Sequence, residues 1–519
     1  MEVMMYRLPG KFVVIICAIV TVQGLAYANF ADTYGFSAIG ISRGNAMTAV
    51  VNDWSSVYYN IAGLGRTRGI MPVPSGTDKQ QLTLQQKGAK EAQNQPTEMS
   101  VSPYDIFPYK DQLAINYMYT QPQMTIDIPR TDIVADKELN FGTVTLGLVL
   151  DLNHFVKMPS FISSSRFGLG LGVMQDGSLV KVYDIDLRTH DFVRYGKEAE
   201  RTVILAGVGF GFMDDLFGIG AGANVWSGGR GAVNLTEVEL GPNEQTPNSE
   251  VQMELTPKIA PVAGLYISPG KKIKALQGLD IGVAYRGEVY MEVDPFATTA
   301  ELYTAGVTLE MALSIYDYYT PHIISGGIAY TFLPIKPLSG LTLSVDVEYQ
   351  MWSKCKVSKS KTAYWANKGI TIPEFQDIIV PKVGVSYNFG CLSPKMQWLT
   401  MNLGYSFRPS YVPDDAVNDA SLFNFMDANT HIGSLGLSFT IPKTGPMVAP
   451  VVITLAGQMQ MLQKRQVKKD RVAIEKIYEN FDGNPSDDDV TQAEIDALYP
   501  DYSYSGFVYS GFVEVALRW

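Results

Sequence analysis

The sequence predicts an all-β fold: a transmembrane antiparallel β-barrel of about 14 strands, of the kind that spans Gram-negative outer membranes. Three observations predict it. The first is alternation. Leu279, Ile281, Val283 and Tyr285 share one face of a stretch whose other face carries Asp280, Gly282, Ala284, Arg286 and Glu288. Leu341, Leu343, Val345, Val347 and Tyr349 oppose Thr342, Ser344, Asp346, Glu348 and Gln350; Leu399, Met401, Leu403, Tyr405 and Phe407 oppose Thr400, Asn402, Gly404, Ser406 and Arg408. A period of two puts each set on one face of a strand. A soluble sandwich would alternate in the same way, so the other two observations decide. The second is the last strand, in which Phe507, Tyr509, Gly511, Val513, Val515, Leu517 and Trp519 form one face. Within it, Val513, Val515, Leu517 and the terminal Trp519 are expected to act as a signal to the barrel assembly machinery. The third is the aromatics. Phe332, Phe389, Phe439 and Trp519 fall near one end of their strands, and Tyr285, Tyr349 and Phe407 near the other, as two interfacial girdles require.

The elements follow in order. Arg7 and Lys11 precede the apolar run Phe12 to Val22, and Ala26-Tyr27-Ala28 places small residues where a signal peptidase reads, so residues 1–28 are expected to be a cleaved leader. Beyond it no apolar run reaches the ~18 residues of a membrane helix. Residues 29–65 do not alternate and are rich in Gly, Ala, Ser and Asn, and 66–110 holds a polar, Gln-rich insertion at 75–103. The barrel is expected over 111–519, with upstream strands near 111–128, 140–152 and 166–187 and about eleven more from residue 201. Short connections near 213–216, 268–276, 333–339, 390–395 and 442–448 should face the periplasm. Long ones at 188–200, 228–250, 293–320, 354–377, 409–429 and 463–503 should face outside. Within the last, residues 463–482 read as an amphipathic helix.

Losing Glu2, Arg7 and Lys11 with the leader leaves 39 basic and 51 acidic side chains, a net charge of −12, which argues against a nucleic-acid partner. No enzyme site emerges. His154, His190, His322 and His431 have no metal spacing, and no H-E-x-x-H, G-x-S-x-G or P-loop pattern is present. The glycine runs at 168–172 and 207–211 sit in strands rather than before a helix, so they read as small residues on one barrel face. The acidic stretch 482–494 places Gly483 and Pro485 where a calcium loop needs carboxylates, so it reads as a solvated loop. No metal and no cofactor are expected.

Residues 36–65, FSAIGISRGNAMTAVVNDWSSVYYNIAGLG, resemble the N-terminal plug of the FadL-type outer-membrane transporters of long-chain fatty acids and hydrocarbons. The matching residues are the Gly44-Asn45-Ala46 turn, the acidic Asp53, and Asn60, Ala62, Gly63 and Leu64; Ile61 stands where the family has proline. The stretches GLDIGVAYRGEVYMEVD, LTLSVDVEYQMWSK, LTMNLGYSFRPSYVPDD and ANTHIGSLGLSFTI resemble later strands of that family, in order. The resemblance implies a fourteen-stranded barrel with an internal hatch, passive uptake of hydrophobic molecules, and sideways exit beside a kinked third strand. Asp176-Gly177 is the expected break, because glycine tolerates angles that interrupt a ladder. The implied partners are a hydrophobic small molecule and outer-membrane lipids, with a monomeric barrel. The alternatives are a general porin, which residues 29–64 would leave open, and a surface interaction barrel working through its long loops.

By parity Asp280, Arg286, Glu288, Asp346, Glu348, Lys382 and Arg408 point inward. They either form a hydrated, ion-paired interior that grips the hatch or, through Arg286, Lys382 or Arg408, bind a ligand carboxylate. Cys355 follows a strand into a long loop and Cys391 lies in a short turn, so the two should sit at opposite barrel ends and carry no mutual disulfide.

Overall fold

Lipid offers no hydrogen bonds, so every backbone group in the membrane must find a partner within the sheet. The chain meets this by closing a sheet on itself. The computed structural model describes residues 25–27, 30–66, 111–127, 140–174, 191–192, 194–195, 202–226, 230–235, 249–254, 258–291, 297–304, 307–314, 317–332, 340–355, 374–413, 425–441, 450–470, 472 and 500–519. Fourteen strands form one closed antiparallel barrel. They are β1 (Gln112–Asp127), β2 (Phe141–Asp151), β3 (Ile162–Met174), β4 (Val203–Phe212), β5 (Phe217–Trp226), β6 (Lys258–Ile267) and β7 (Leu279–Arg286). The ring continues with β8 (Ile323–Thr331), β9 (Leu341–Gln350), β10 (Ile378–Asn388), β11 (Leu399–Arg408), β12 (Thr430–Ile441), β13 (Val451–Val467) and β14 (Tyr502–Arg518). Closure is the pairing of β14 with β1, in register from Gln112↔Arg518 to Asp127↔Ser503. Beyond it Asp111 and Trp519 exchange two backbone hydrogen bonds of 3.0 and 3.1 Å, so the last residue seals the seam.

The alternation in the sequence becomes the two faces of the wall. On β9, Leu343, Val345 and Val347 face outward and are exposed, while Ser344, Asp346 and Glu348 face the lumen and are buried. On β1, Leu113, Ile115, Tyr117 and Tyr119 face outward and Gln112, Asn116 and Thr120 inward. This is a lipid-facing apolar band around a polar interior, the inverse of a soluble barrel. The aromatic girdles also form. At the short-turn end Phe161, Phe212 and Phe217 stack, as do Trp398 and Phe439, and Tyr330 meets Phe332 edge-on. At the other end Tyr285 stacks on His322, and Tyr405 and Phe407 flank His431.

Two expectations need correction. The third strand was expected over 166–187; it begins four residues earlier, at Ile162, with a register shift between Ile162 and Ser164, and is described only to Met174. The expected break at Asp176-Gly177 lies outside the described residues. The amphipathic helix expected from residue 463 does not begin there. Arg465, Gln466 and Val467 extend β13 and pair with Tyr504, Ser503 and Tyr502 after a bulge that follows Leu462. Their polarity suited a helix, but strands of 17 residues carry the β13–β14 ladder past the apolar band, where polar side chains belong on both faces. The leader, the insertion at 75–103 and the loop at 482–494 fall outside the described residues, apart from a short strand Leu25–Tyr27 that runs parallel to Asp317–Thr320.

Cys355 carries no disulfide. It follows β9 at the long-loop end, and Cys391 lies in the turn after β10 at the other end. The separation along a strand, at about 3.3 Å per residue, excludes a bridge.

Candidate functional site

Residues 30–66 occupy the lumen. They form three short helices, α1 (Phe30–Thr33), α2 (Ala38–Ser42) and α3 (Ser56–Tyr59), followed by a 3-10 turn at Ile61–Gly65. Each is too short to be stable alone, so local caps and wall contacts define them. Ser37 caps α2 by accepting from the Gly40 amide at 3.2 Å. The α2 helix then stops at Gly44 and Asn45, which take successive positive φ values of 62° and 61°. Gly44 lies so close to the wall that a Cβ on Gly404 of β11 would stand 1.8 Å from the Gly44 amide nitrogen. That close approach needs glycine on both partners. Ala46 is fully buried beside this turn.

Asp53 and Asn60 organise the second half. The Asp53 carboxylate accepts from the Ser55 amide (2.9 Å) and hydroxyl (2.6 Å), turning the chain into α3. Asn60 joins hatch to wall: its Nδ2 donates to the carbonyl of Thr48 (2.8 Å) and to that of Leu265 on β6 (3.1 Å), and its Oδ1 accepts from the Ala62 amide (3.2 Å). Ile61, in the position where the family carries proline, points its Cδ1 at Gly207 and Gly222, where a Cβ would lie 2.4 and 2.5 Å away. The turn is thus held by the Asn60 amide instead of a ring, and the wall glycines house the larger side chain. Gly63 packs under the Val51 carbonyl, and Leu64 fills the space at Gly168. The runs at 168–172 and 207–211 therefore make room for the hatch: Val57, Phe36 and Phe30 lie against Gly168, Gly170 and Gly172, and Ile61 and Leu64 against Gly207 and Gly209.

The inward charges are committed to this interior. Asp346 accepts from the Thr48 amide at 2.7 Å. Glu514 on β14 accepts from the Ala38 amide (2.9 Å) and from the Trp54 indole (3.1 Å). Arg286 pairs with Asp32 (3.0 Å) and lies over the Tyr58 ring at 3.9 Å, with Glu348 3.9 Å away. Lys382 pairs with Glu348 at 2.8 Å. Arg408 donates to the Thr33 carbonyl (3.1 Å), to the Tyr195 hydroxyl (2.6 Å) and to Gln460 (3.1 Å). All three cations considered for a ligand carboxylate are engaged by protein groups. In the hatch itself, burial lowers the Arg43 guanidinium to about 10, against the pull of Asp346 and Asp53, and it still carries its charge at neutral pH.

Sequence reading missed Arg166 and Arg194. Arg166, two residues before the glycine run of β3, donates to the carbonyls of Leu64 (2.6 Å), Gly63 (3.2 Å) and Arg66. Its only signal was a charge at an inward position. Arg194 lies in a long loop with no periodicity at all. It pairs with Asp427 at 2.9 Å, both side chains 1% exposed, and stacks over Tyr411 at 4.4 Å. Asp427 also accepts from Ser410 (2.9 Å) and from the Tyr411 amide (3.1 Å), and the Arg194 carbonyl accepts from Thr33, so two outer loops, 188–200 and 409–429, meet above α1.

No family model matches the chain. A curated relative, alkane uptake protein A of Marinobacter nauticus, is 22% identical over 420 residues, covering 78% of this chain and 85% of that protein. Among solved structures, a Pseudomonas aeruginosa FadL homologue aligns over 95% of this chain and 99% of its own, at 13% identity and TM-score 0.46. The toluene transporter TodX of Pseudomonas putida aligns over 94% and 99%, at 12% identity and TM-score 0.46. In its ordered motifs, its closed fourteen-stranded barrel with residues 30–66 inside it, and its match along most of both chains to that relative, this protein is similar to the FadL-type outer-membrane transporters.

Proposed function

We propose that the barrel is an outer-membrane channel for passive uptake of hydrophobic compounds, and that its cargo is neutral hydrocarbon of the alkane class. The observation that carries the choice is the engagement of Arg286, Lys382 and Arg408 by Asp32, Glu348, Tyr195, Gln460 and the Thr33 carbonyl. A fatty-acid carboxylate would have to break one of these contacts, and exposing the buried partner left behind costs about 3–5 kcal/mol. A neutral chain makes no such demand, and each methylene it buries contributes roughly 0.8 kcal/mol. The relative's name, an alkane uptake protein, supports the same class. The hatch residues Gly44, Asn45, Ala46, Asp53, Asn60, Ala62, Gly63 and Leu64 serve as the gate, and Asp176-Gly177 remains our choice for a break that lets cargo leave sideways into the bilayer.

The test is uptake by cells expressing the full chain. Radiolabelled hexadecane should enter several-fold faster than in cells carrying an empty vector, and palmitate at neutral pH should gain much less. Faster palmitate uptake that Arg408→Gln abolishes would overturn the neutral-cargo reading. Swelling of proteoliposomes in a small sugar would instead show a general porin.

Assembly offers a separate prediction. We infer that Val513, Val515, Leu517 and Trp519 present the outward face read by the assembly machinery. Removal of Trp519 should lower the yield of heat-modifiable barrel in the outer membrane, since it also removes the backbone pair with Asp111. An unchanged yield would count against that reading.

A further inference from the structure

Arg194 and Tyr195 hold two things at once. The Arg194 side chain holds the other outer loop: its Nε donates to Asp427 at 2.9 Å, and its guanidinium lies 4.4 Å from the centre of the Tyr411 ring. Tyr411 in turn stacks on Trp352 at 4.1 Å. The Arg194 backbone holds the hatch: its carbonyl accepts from the Thr33 hydroxyl of α1 at 3.4 Å. Tyr195 extends that second contact. Its ring meets Tyr34 edge-on at 6.3 Å, and its hydroxyl lies between Arg408 (2.6 Å) and Gln460 (2.7 Å). Arg408 and Gln460 each donate to the Thr33 carbonyl as well, at 3.1 Å.

The two loops are rooted differently. Asp427 is fixed to the wall, because its carbonyl accepts from Arg465 of β13 (2.8 Å) and from the Tyr504 hydroxyl of β14 (2.6 Å). Among the described residues, loop 188–200 reaches it through Arg194 and through a short parallel pairing of Asp191–Phe192 with Phe425–Met426. The α1 helix has four residues, too few to persist alone, so it depends on its contacts with wall and loop. A buried ion pair is close to all-or-none. Intact, it adds little over apolar packing; with one partner withdrawn, the other charge is left uncompensated away from water. Such a contact suits a two-state latch better than a graded support.

We propose that Arg194 and Asp427 form the latch of an outer gate that couples loop 188–200 to the hatch. With the pair made, α1 is clamped. When Arg194 leaves Asp427, its carbonyl and the Tyr195 ring leave α1 with it, and the outer end of the hatch is free to move. Loop lifting and hatch loosening are then one event, and whatever favours one favours the other by the same factor. The gating role rests on the uptake reading above; the coupling of loop to hatch does not.

Hydrogen exchange on the full-length barrel in detergent tests the coupling. The Tyr34 and Gly35 amides donate to the Phe30 and Ala31 carbonyls and report on α1. Arg194→Gln and Asp427→Asn should each speed exchange at 30–36 at least roughly tenfold, with 61–66 unchanged. Unchanged heat-modifiable mobility shows that each variant is assembled. Arg194→Lys, which keeps the charge without the planar fork, serves where the glutamine fails to assemble and should give a smaller acceleration. A cross-link tests the gate. In a Cys355→Ser, Cys391→Ser background, Asp191→Cys and Phe425→Cys stand on paired strands about 4.8 Å apart, within reach of a disulfide. The oxidised barrel should take up radiolabelled hexadecane several-fold more slowly than the reduced one and keep α1 protected. Exchange at 30–36 untouched by these substitutions would show that the wall alone clamps α1 and overturn the coupling. Equal uptake by oxidised and reduced barrels would overturn the gate. No hydrocarbon uptake by the intact chain would overturn the uptake reading and the gate with it, while the exchange result decides the coupling separately.

Discussion

Deletion of residues 29–64 is expected to turn a poorly conducting barrel into an open pore. A fourteen-stranded barrel lies between the eight-stranded kind, which side chains fill, and the sixteen-stranded porins, which hold an aqueous channel. Its lumen must therefore be closed by something other than its own wall. Here the wall is unusually bare: β3, β4 and β5 present Gly168, Gly170, Gly172, Gly207, Gly209 and Gly222 to hatch side chains, and Gly220 to the hatch backbone. Without those side chains nothing replaces Phe30, Phe36, Trp54, Ile61 and Leu64, and water fills the space. In planar bilayers the single-channel conductance should rise by more than roughly an order of magnitude, to the range of an unobstructed barrel. The ladder from β1 to β14 does not use residues 29–64, so heat-modifiable barrel should persist, with lower thermal stability from lost packing. Conductance equal to that of the intact chain would refute an occluding hatch.

The second large effect is expected at Arg166. Its guanidinium is buried and donates to three carbonyls at the end of the hatch, those of Leu64, Gly63 and Arg66. The planar fork reaches several acceptors at once, which an ammonium on a flexible stem does not. Hydrogen bonds involving a charged group contribute about 1.5–3 kcal/mol each. Some of this is regained when water enters the vacated space, so Arg166→Ala should cost about 3 kcal/mol of local stability, roughly a hundredfold in the opening equilibrium. Hydrogen exchange at the amides of residues 61–66 should accelerate by that factor. The β9–β10 ladder, remote from Arg166, should keep its protection. Arg166→Lys should fall between the two. Unchanged exchange at 61–66 would mean that Asn60 and the tight glycine contacts hold this end of the hatch by themselves.

The same geometry explains which parts of the molecule were legible beforehand. Strand faces follow from a period of two, and burial on one side with lipid on the other writes that period into Leu343, Ser344, Val345 and Asp346 without reference to anything distant. The strand count followed from the same local pattern. Where polarity and periodicity part company, the reading slipped. Gln463, Lys464, Arg465 and Gln466 are polar on both faces because they lie beyond the apolar band, and alternation cannot identify a strand there. The start of β3 was misplaced because Ser163, Ser164 and Ser165 are small on both faces and carry almost no hydropathy signal.

The sequence by itself determined that this chain is a β-barrel with an aromatic terminal strand, and its motif at 36–65 pointed to a hatch within it. It also identified which charges face inward, because parity along a strand is a local property. Only the tertiary structure decided what those charges do. Arg286 meets Asp32 across 254 positions, and Arg408 meets Thr33 across 375. Arg194 meets Asp427 from a loop with no pattern. Such pairings depend on how a closed sheet wraps a folded segment, and no spacing in one dimension encodes them. The wall glycines are another case: Gly457 and Gly511 become neighbours only through the register of β13 with β14, because a barrel's surface is set by which strands lie side by side.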